Sequence, residues 1–234
     1  MKVEIWSDIA CPWCYVGRRR FEKALEQFEH RDQVEVIWRS YELDPRAPRE
    51  TSQSIGDVLS KKYGTSREET ETILRQTARV GAQEGLDLRF DRVQPVNTFD
   101  AHRLLQFAAK HGAQSDLSDR LHKAYFTEGL SVSDHETLVR LAVEAGLDAD
   151  EARQMLNSSA HADDVRADMR RGMQFGSQGV PFFVFDERYA VSGAQQPEIF
   201  LSALVRAWAD AHPAIEVIGA RDGAAACDDT ACAT

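Results

Sequence analysis

The hydrophobic period of the chain changes twice, and this limits the available folds more than any other feature. Val3 and Ile5 alternate with polar neighbours, Phe21, Ala24, Leu25 and Phe28 follow at helical spacing, and Val34, Val36 and Trp38 alternate again. Two extended runs joined by a helix predict a βαβ unit with parallel strands and a right-handed crossover. After Leu43-Asp44-Pro45-Arg46-Ala47-Pro48 the period becomes helical and stays so until Gly176. There it reverts. Pro181-Phe182-Phe183-Val184-Phe185, the polar turn Asp186-Glu187-Arg188 and Tyr189-Ala190-Val191 predict a β-hairpin. Pro197 then opens a last helix with Leu201, Leu204, Val205 and Trp208 on one face, ended by His212-Pro213. Neither end piece has enough strands to stand alone. The expected fold class is therefore α/β: one discontinuous domain over residues 1–44 and 176–218, and an inserted all-helical domain over 45–175. From 219 to 234 a flexible acidic tail is expected, too rich in Gly, Ala and Asp to bury much.

Helix punctuation supports several separate helices in the insert. Ser66/Glu69, Ser133/Glu136 and Asp148/Glu151 each place a capping oxygen three residues before a Glu. Apolar stripes run through Ala101, Leu104, Leu105 and Ala108, through Leu117, Leu121, Ala124 and Tyr125, and through Leu138, Leu141, Ala142 and Ala145. Gly112, Gly129 and Gly146 are read as their stops.

Charge and composition narrow the function classes. With 28 Lys and Arg against 38 Asp and Glu, the formal net charge is −10. This disfavours nonspecific nucleic-acid binding and attachment to an anionic membrane surface. No apolar run approaches the ~18 residues of a spanning helix, and the first residues lack the basic and apolar regions of a secretory signal. A cytoplasmic protein is expected. Four cysteines are too few for a disulfide scaffold. In a reducing compartment, paired cysteines are more often catalytic, redox-sensing or metal-binding.

Cys11-Pro12-Trp13-Cys14 falls between the first expected strand and the first helix. Unpaired N–H groups and the dipole at a helix start favour a thiolate, which makes Cys11 the expected nucleophile. Cys14, one turn on and expected deeper, is placed to attack a mixed disulfide on Cys11 and release the substrate. Pro12 suits the first turn. The competing interpretation is half of a zinc knuckle, which normally has a second pair after ~12–20 residues; the next cysteine here is Cys227, so redox chemistry is favoured. Far along the chain, Val180-Pro181 is either a plain strand start or a cis bond facing Cys11. A cis bond would leave the Val180 backbone N–H and C=O to pair with an extended substrate.

Three stretches, Ser7 to Gly17, Asn97-Thr98-Phe99-Asp100-Ala101-His102-Arg103-Leu104 and Gly179-Val180-Pro181-Phe182-Phe183, resemble the DsbA-like branch of the thioredoxin superfamily. Together they look like its FrnE-type cytoplasmic dithiol-disulfide oxidoreductases. The resemblance spans residues 1–210. It implies a thioredoxin-like fold, a protein-disulfide oxidoreductase or isomerase, no bound cofactor, and protein disulfides, dithiols or glutathione as partners. It also implies Cys11 as nucleophile, Cys14 as resolving cysteine, and a cis Pro181 in a substrate groove with Pro12, Trp13 and Val180. Trp13 departs from the best-known oxidases, which carry His there, and a less oxidising enzyme is expected. Oxidase, reductase and isomerase directions stay open.

Two other classes compete. Glutathione-dependent 2-hydroxychromene-2-carboxylate isomerases and kappa-class transferases are similar in architecture, but typically carry Ser in place of Cys11. The other is a metal-binding or chaperone-like module built on the four cysteines. Cys227 and Cys232 form a C-x4-C pair that is either an auxiliary dithiol exchanging with Cys11 and Cys14 or a passive pair. Asp228 and Asp229 oppose thiolate formation there. His102 is expected to be structural, bordering the interface between the two domains. Asp8 is expected to fix the loop before Cys11 as a hydrogen-bond acceptor, and the two Phe, Phe182 and Phe183, to point to opposite sides with one inward.

Overall fold

Strand β1 (Lys2–Ser7) is central in a four-stranded sheet of order β2-β1-β3-β4, in a computed structural model that describes residues 1–213. It runs parallel to β2 (Glu35–Ser40), with Lys2 opposite Glu35 and Ser7 opposite Ser40. It runs antiparallel to β3 (Phe182–Phe185), which pairs with β4 (Tyr189–Ser192) across the expected turn. Helix α1 (Pro12–Gln27) links the two parallel strands, as the alternation predicts, with a 3-10 turn at Arg31–Gln33. Cys227, Cys232 and residues 214–234 in general lie outside the described residues.

Both central strands are covered on both faces. On one side Val3, Ile5, Phe183 and Phe185 pack with Phe21, Ala24 and Phe28 of α1 and with Phe200, Leu204 and Ala207 of α9 (Pro197–Ala211). On the other, Trp6, Phe182 and Val184 form a separate cluster with Phe175 and Val180 at its edge. Two expectations are corrected here. Phe182 and Phe183 do point apart, but both are buried, because helices cover the face that alternation alone would leave to solvent. Also, α9 buries Phe200, Leu204 and Ala207, while Val205 is exposed, so its inner face is turned from the expected one.

The polar residue on β1 is buried too. Glu4, 1% exposed, receives Arg39 of β2 at 2.6 Å and Arg171 of α8 (Ala162–Gln174) at 2.7 Å. Burial opposes its charge, but the two guanidinium groups outweigh that and hold its carboxyl below the usual range. Next to it the Trp6 indole N–H donates to the Asp168 carbonyl at 2.7 Å. These contacts fix α8 across the back of the sheet.

The intervening helices are α2 (Ile55–Tyr63), α3 (Arg67–Gln83), α4 (Phe99–Lys110), α5 (Gln114–Lys123), α6 (His135–Glu144) and α7 (Ala149–Leu156), with a π-helical turn at Ala124–Glu128. Ser66 and Glu69 form the expected capping box, and Asp148 caps α7. Asp134, not Ser133, caps α6, with its carboxylate accepting from the Thr137 N–H; the Ser133 hydroxyl instead donates to the Arg49 carbonyl. Helical periodicity also fails over residues 84–98. Leu86, Leu88, Val93 and Val96 cross there without a helix and are buried in the helical core. That core includes Ile9, Tyr15 and Val16, so the loop and first turn holding the cysteines pack against α4 and α5 as well as the sheet.

Candidate active site

Cys11 is the N-cap of α1, with extended backbone. Its sulfur accepts the Cys14 N–H at 3.3 Å, one of the donors that a helix start leaves without an intrahelical partner. Pro12 at the first helical position has no N–H to satisfy. The Cys11 thiol also faces the Val180 carbonyl at 3.6 Å, and the Val180-Pro181 bond is cis. Among the described residues the Val180 N–H donates to no protein group. Cys11 and Cys14 are both free thiols and both buried, Cys14 the deeper. Burial, together with the adjoining Cys11, pushes the Cys14 thiol well up; the Asp8 backbone and the Ser7 hydroxyl counter this only in part. Trp13 between them is the exposed member, with 41% of its surface open.

The structure therefore brings Cys11, Pro12, Trp13, Cys14, Val180 and Pro181 to one place from both ends of the chain. Gly17 holds them close. A Cβ on it would stand 3.0 Å from Pro181 Cγ and 3.4 Å from Ala194 Cβ, so α1 can approach the proline only without a side chain here. Gly17→Val should cost about 1–3 kcal/mol by overpacking. It should also slow thiol-disulfide exchange about tenfold, the equivalent of about 1.4 kcal/mol in the barrier. Urea unfolding and an exchange assay check this, and a variant matching the wild type in both would show that the approach is not required.

The loop before Cys11 is fixed by Asp8. This carboxylate, 1% exposed, accepts from the Leu43 N–H at 2.7 Å, the Thr98 hydroxyl at 2.9 Å and the Ala10 N–H at 3.2 Å, and faces His102 Nε2 at 3.3 Å. Burial would raise its pKa, but His102, the Leu43 N–H and Thr98 outweigh burial and keep it below the ordinary carboxylate range. The Asp8 carbonyl in turn accepts the Cys11 N–H at 3.1 Å and faces His122 Nε2 at 3.3 Å. His122 is buried and stacked on Tyr15, and burial pushes its pKa down to about 4, so the ring is neutral. Asp8 is thus the loop-fixing acceptor expected from its position, and His102 is one of its partners. Leu43 and His122 carry no sequence signal, and Thr98 and Gly17 stand out only as members of the resembling stretches, since their roles arise from contacts distant in the chain.

Helix α1 is clamped from outside by three consecutive arginines. Arg18 reaches Ser115, Arg19 pairs with Asp119 at 2.6 Å, and Arg20 pairs with the buried Glu84 at 2.7 Å while donating to the Ala194 carbonyl. Among the described residues no group of three or more His, Cys, Asp or Glu is placed to hold a metal ion, and no helix is long and apolar enough to cross a membrane.

The family model of the DSBA-like thioredoxin domain matches residues 2–205. A probable DsbA oxidoreductase from Streptomyces coelicolor is 47% identical, with 100% of this chain and 99% of that one covered and a TM-score of 0.87. A 2-hydroxychromene-2-carboxylate isomerase is 14% identical over 90% of this chain and 98% of its own, with a TM-score of 0.66. The cytosolic disulfide reductase DsbM of Pseudomonas aeruginosa, solved with GSH, is 16% identical over 88% and 98%, with a TM-score of 0.61. The last two likenesses are of fold alone.

Proposed function

The chain belongs to the DSBA-like thioredoxin domain family, and from that premise we propose that it is a cytoplasmic FrnE-type thiol-disulfide oxidoreductase acting on protein or small-molecule disulfides. The supporting observation is the asymmetry of the cysteine pair. Cys11 caps the helix, beside the exposed Trp13 and the Val180 carbonyl, while Cys14 is buried with its thiol pushed well up. A helix start is suited to a nucleophilic thiolate, whereas a raised thiol is suited to staying protonated until a mixed disulfide forms beside it.

The Cys11 thiolate attacks one sulfur of a substrate disulfide; a Cys11–substrate bond forms and the other substrate sulfur leaves with the electron pair. Cys14, once deprotonated, attacks Cys11, and the second substrate sulfur leaves. One disulfide is reduced and one is formed, so two electrons and two protons pass to the substrate. The reverse sequence oxidises a dithiol. Trp13 and the free edge at Val180 form the proposed substrate groove, taking an extended peptide by its backbone. Glutathione is the proposed small-molecule partner; DsbM, which shares the fold, was solved with it. Cys227 and Cys232 are proposed as an auxiliary dithiol, and residues 45–175 as the inserted helical unit.

Equilibration with glutathione redox buffers tests this reading. The Cys11–Cys14 couple should oxidise and reduce reversibly, with a potential below the about −120 mV of the strong oxidant DsbA. Exchange with glutathione disulfide followed in time should be slower in a Cys227→Ser/Cys232→Ser double variant, and an unchanged rate would reduce the second pair to a passive one. Absence of a reversible couple, together with turnover of 2-hydroxychromene-2-carboxylate, would favour the isomerase class instead.

A further inference from the structure

Between β1, β2, α4 and α5 lies a cavity of about 10 Å³, walled largely by apolar side chains including Ile9, Trp38 and Leu105, with Ser7, His102 and His122 as polar members. That volume is at the lower limit for one water molecule, which needs about two to four polar partners. Two of the lining groups are buried polar atoms that the protein leaves without a hydrogen-bond partner: Ser7 Oγ and His102 Nδ1. Their residues are 6% and 1% exposed. The neighbouring polar groups are already engaged, Ser40 by the Gln106 amide and His122 Nδ1 by the Ser118 carbonyl.

The other nitrogen of His102 decides the direction of this arrangement. Nε2 faces the Asp8 carboxylate, which can only accept, so the ring proton belongs on Nε2 and the unpartnered Nδ1 carries the lone pair. Ser7 completes the line. Its hydroxyl lies beside the Cys14 thiol, facing it without a hydrogen bond of ordinary geometry.

We propose that Ser7, one water in this cavity and His102 form a proton path that takes the proton of Cys14 when the mixed disulfide on Cys11 is resolved. This rests on the reading of Cys11 and Cys14 as an exchanging pair. Cys14 gives its S–H proton to Ser7 Oγ, Ser7 passes its own to the water, and the water passes one to His102 Nδ1. The resulting imidazolium is stabilised by Asp8, which acts as a positioning residue. The Cys14 thiolate then forms the bond to Cys11, the Cys11–substrate bond breaks, and the departing thiolate carries off the electron pair. The imidazolium returns its proton to solvent or to the leaving group. The burial that pushes the Cys14 thiol up explains why such a path is needed. The titratable and charged groups facing His102 are Asp8 from the loop before α1, Glu42 after β2, Arg39 on β2 and His122 on α5, with Cys14 on α1 reached through Ser7.

The test separates formation of the mixed disulfide from its resolution, using glutathione disulfide as probe and quenched-flow mass analysis. In His102→Gln, which keeps a donor toward Asp8, and in Ser7→Ala, Cys11 should become glutathionylated within about twofold of the wild-type rate. Resolution should be about 100-fold slower, the lower end of what a positioned general base contributes. The resolution rate should also depend more steeply on pH in His102→Gln than in the wild type, because Cys14 then gives up its proton only to hydroxide or buffer. If His102→Gln does not fold, Ser7→Ala, which removes a single oxygen, decides alone. Normal formation with wild-type resolution rates and pH profile would overturn the relay. Absence of any Cys11 mixed disulfide in Cys14→Ser would overturn the exchange reading and the relay with it.

Discussion

Cys11→Ser should lose disulfide exchange by on the order of 10³-fold or more, because a serine hydroxyl does not ionise at neutral pH and cannot carry a disulfide. Cys14→Ser should behave differently. Cys11, with its helix-start geometry intact, should still attack a substrate, but the product should persist as a mixed disulfide. Resolution in the wild type is intramolecular, and its advantage over attack by a free thiol comes from holding Cys14 one turn from Cys11. The serine variant should therefore be rescued only slowly by added dithiol. Stability separates these effects from misfolding. Both substitutions are near-isosteric, and the Cys14 N–H retains an oxygen acceptor in Cys11→Ser, so the urea midpoint should move little. An assay in which Cys11→Ser turned over normally would remove the basis of the proposed mechanism.

The second large effect belongs to Asp8. Asp8→Ala strips the acceptor from the Leu43 N–H, the Thr98 hydroxyl and the Ala10 N–H, and leaves His102 without its carboxylate, all in a buried setting. Breaking a buried charged network by removing one partner typically costs about 3–5 kcal/mol, a large share of the about 5–15 kcal/mol that holds a domain folded. The effect depends on pH. The folded-state pKa of Asp8 lies below its ordinary value, so its contribution is complete above the unfolded-state pKa, near 4. It is lost as pH falls through the depressed folded value. Glu4 and Glu84, also held low by arginine or lysine partners, change in the same sense. Wild type and Asp8→Ala should therefore differ most near neutrality and converge in acid. A loss below about 1 kcal/mol at neutral pH would mean that the loop before Cys11 is held by other contacts.

These two predictions also show which parts of the molecule could be read from the sequence. The cysteine motif, the parallel pairing of β1 with β2, the hairpin and the capping box at Ser66 each depend on residues close together in the chain, where propensity and spacing act directly. Val180-Pro181 is a candidate from the sequence, but local sequence leaves both isomers accessible and the cis form is a property of the fold. The cap of α6 was displaced by one residue because Ser133 and Asp134 are both competent caps, and Ser133 is taken by the Arg49 carbonyl. The exposed side of α9 is not legible from periodicity, because Val205 is apolar yet faces solvent, while Phe200 and Ala207 turn inward. Least visible were the long-range contacts: Glu4 with Arg171, Asp8 with Thr98 and His102, and Gly17 with Pro181. No periodicity reports a pair of residues ninety or more positions apart.

The most direct test is the mass of the protein after brief reaction with glutathione disulfide, followed by acid quench and peptide mapping. Wild type should lose two hydrogens by closing Cys11 to Cys14, and Cys14→Ser should instead carry one glutathionyl group located on Cys11. A glutathionyl group on Cys14 in the wild type, or none on Cys11 in the variant, would contradict the assignment of the two sulfurs.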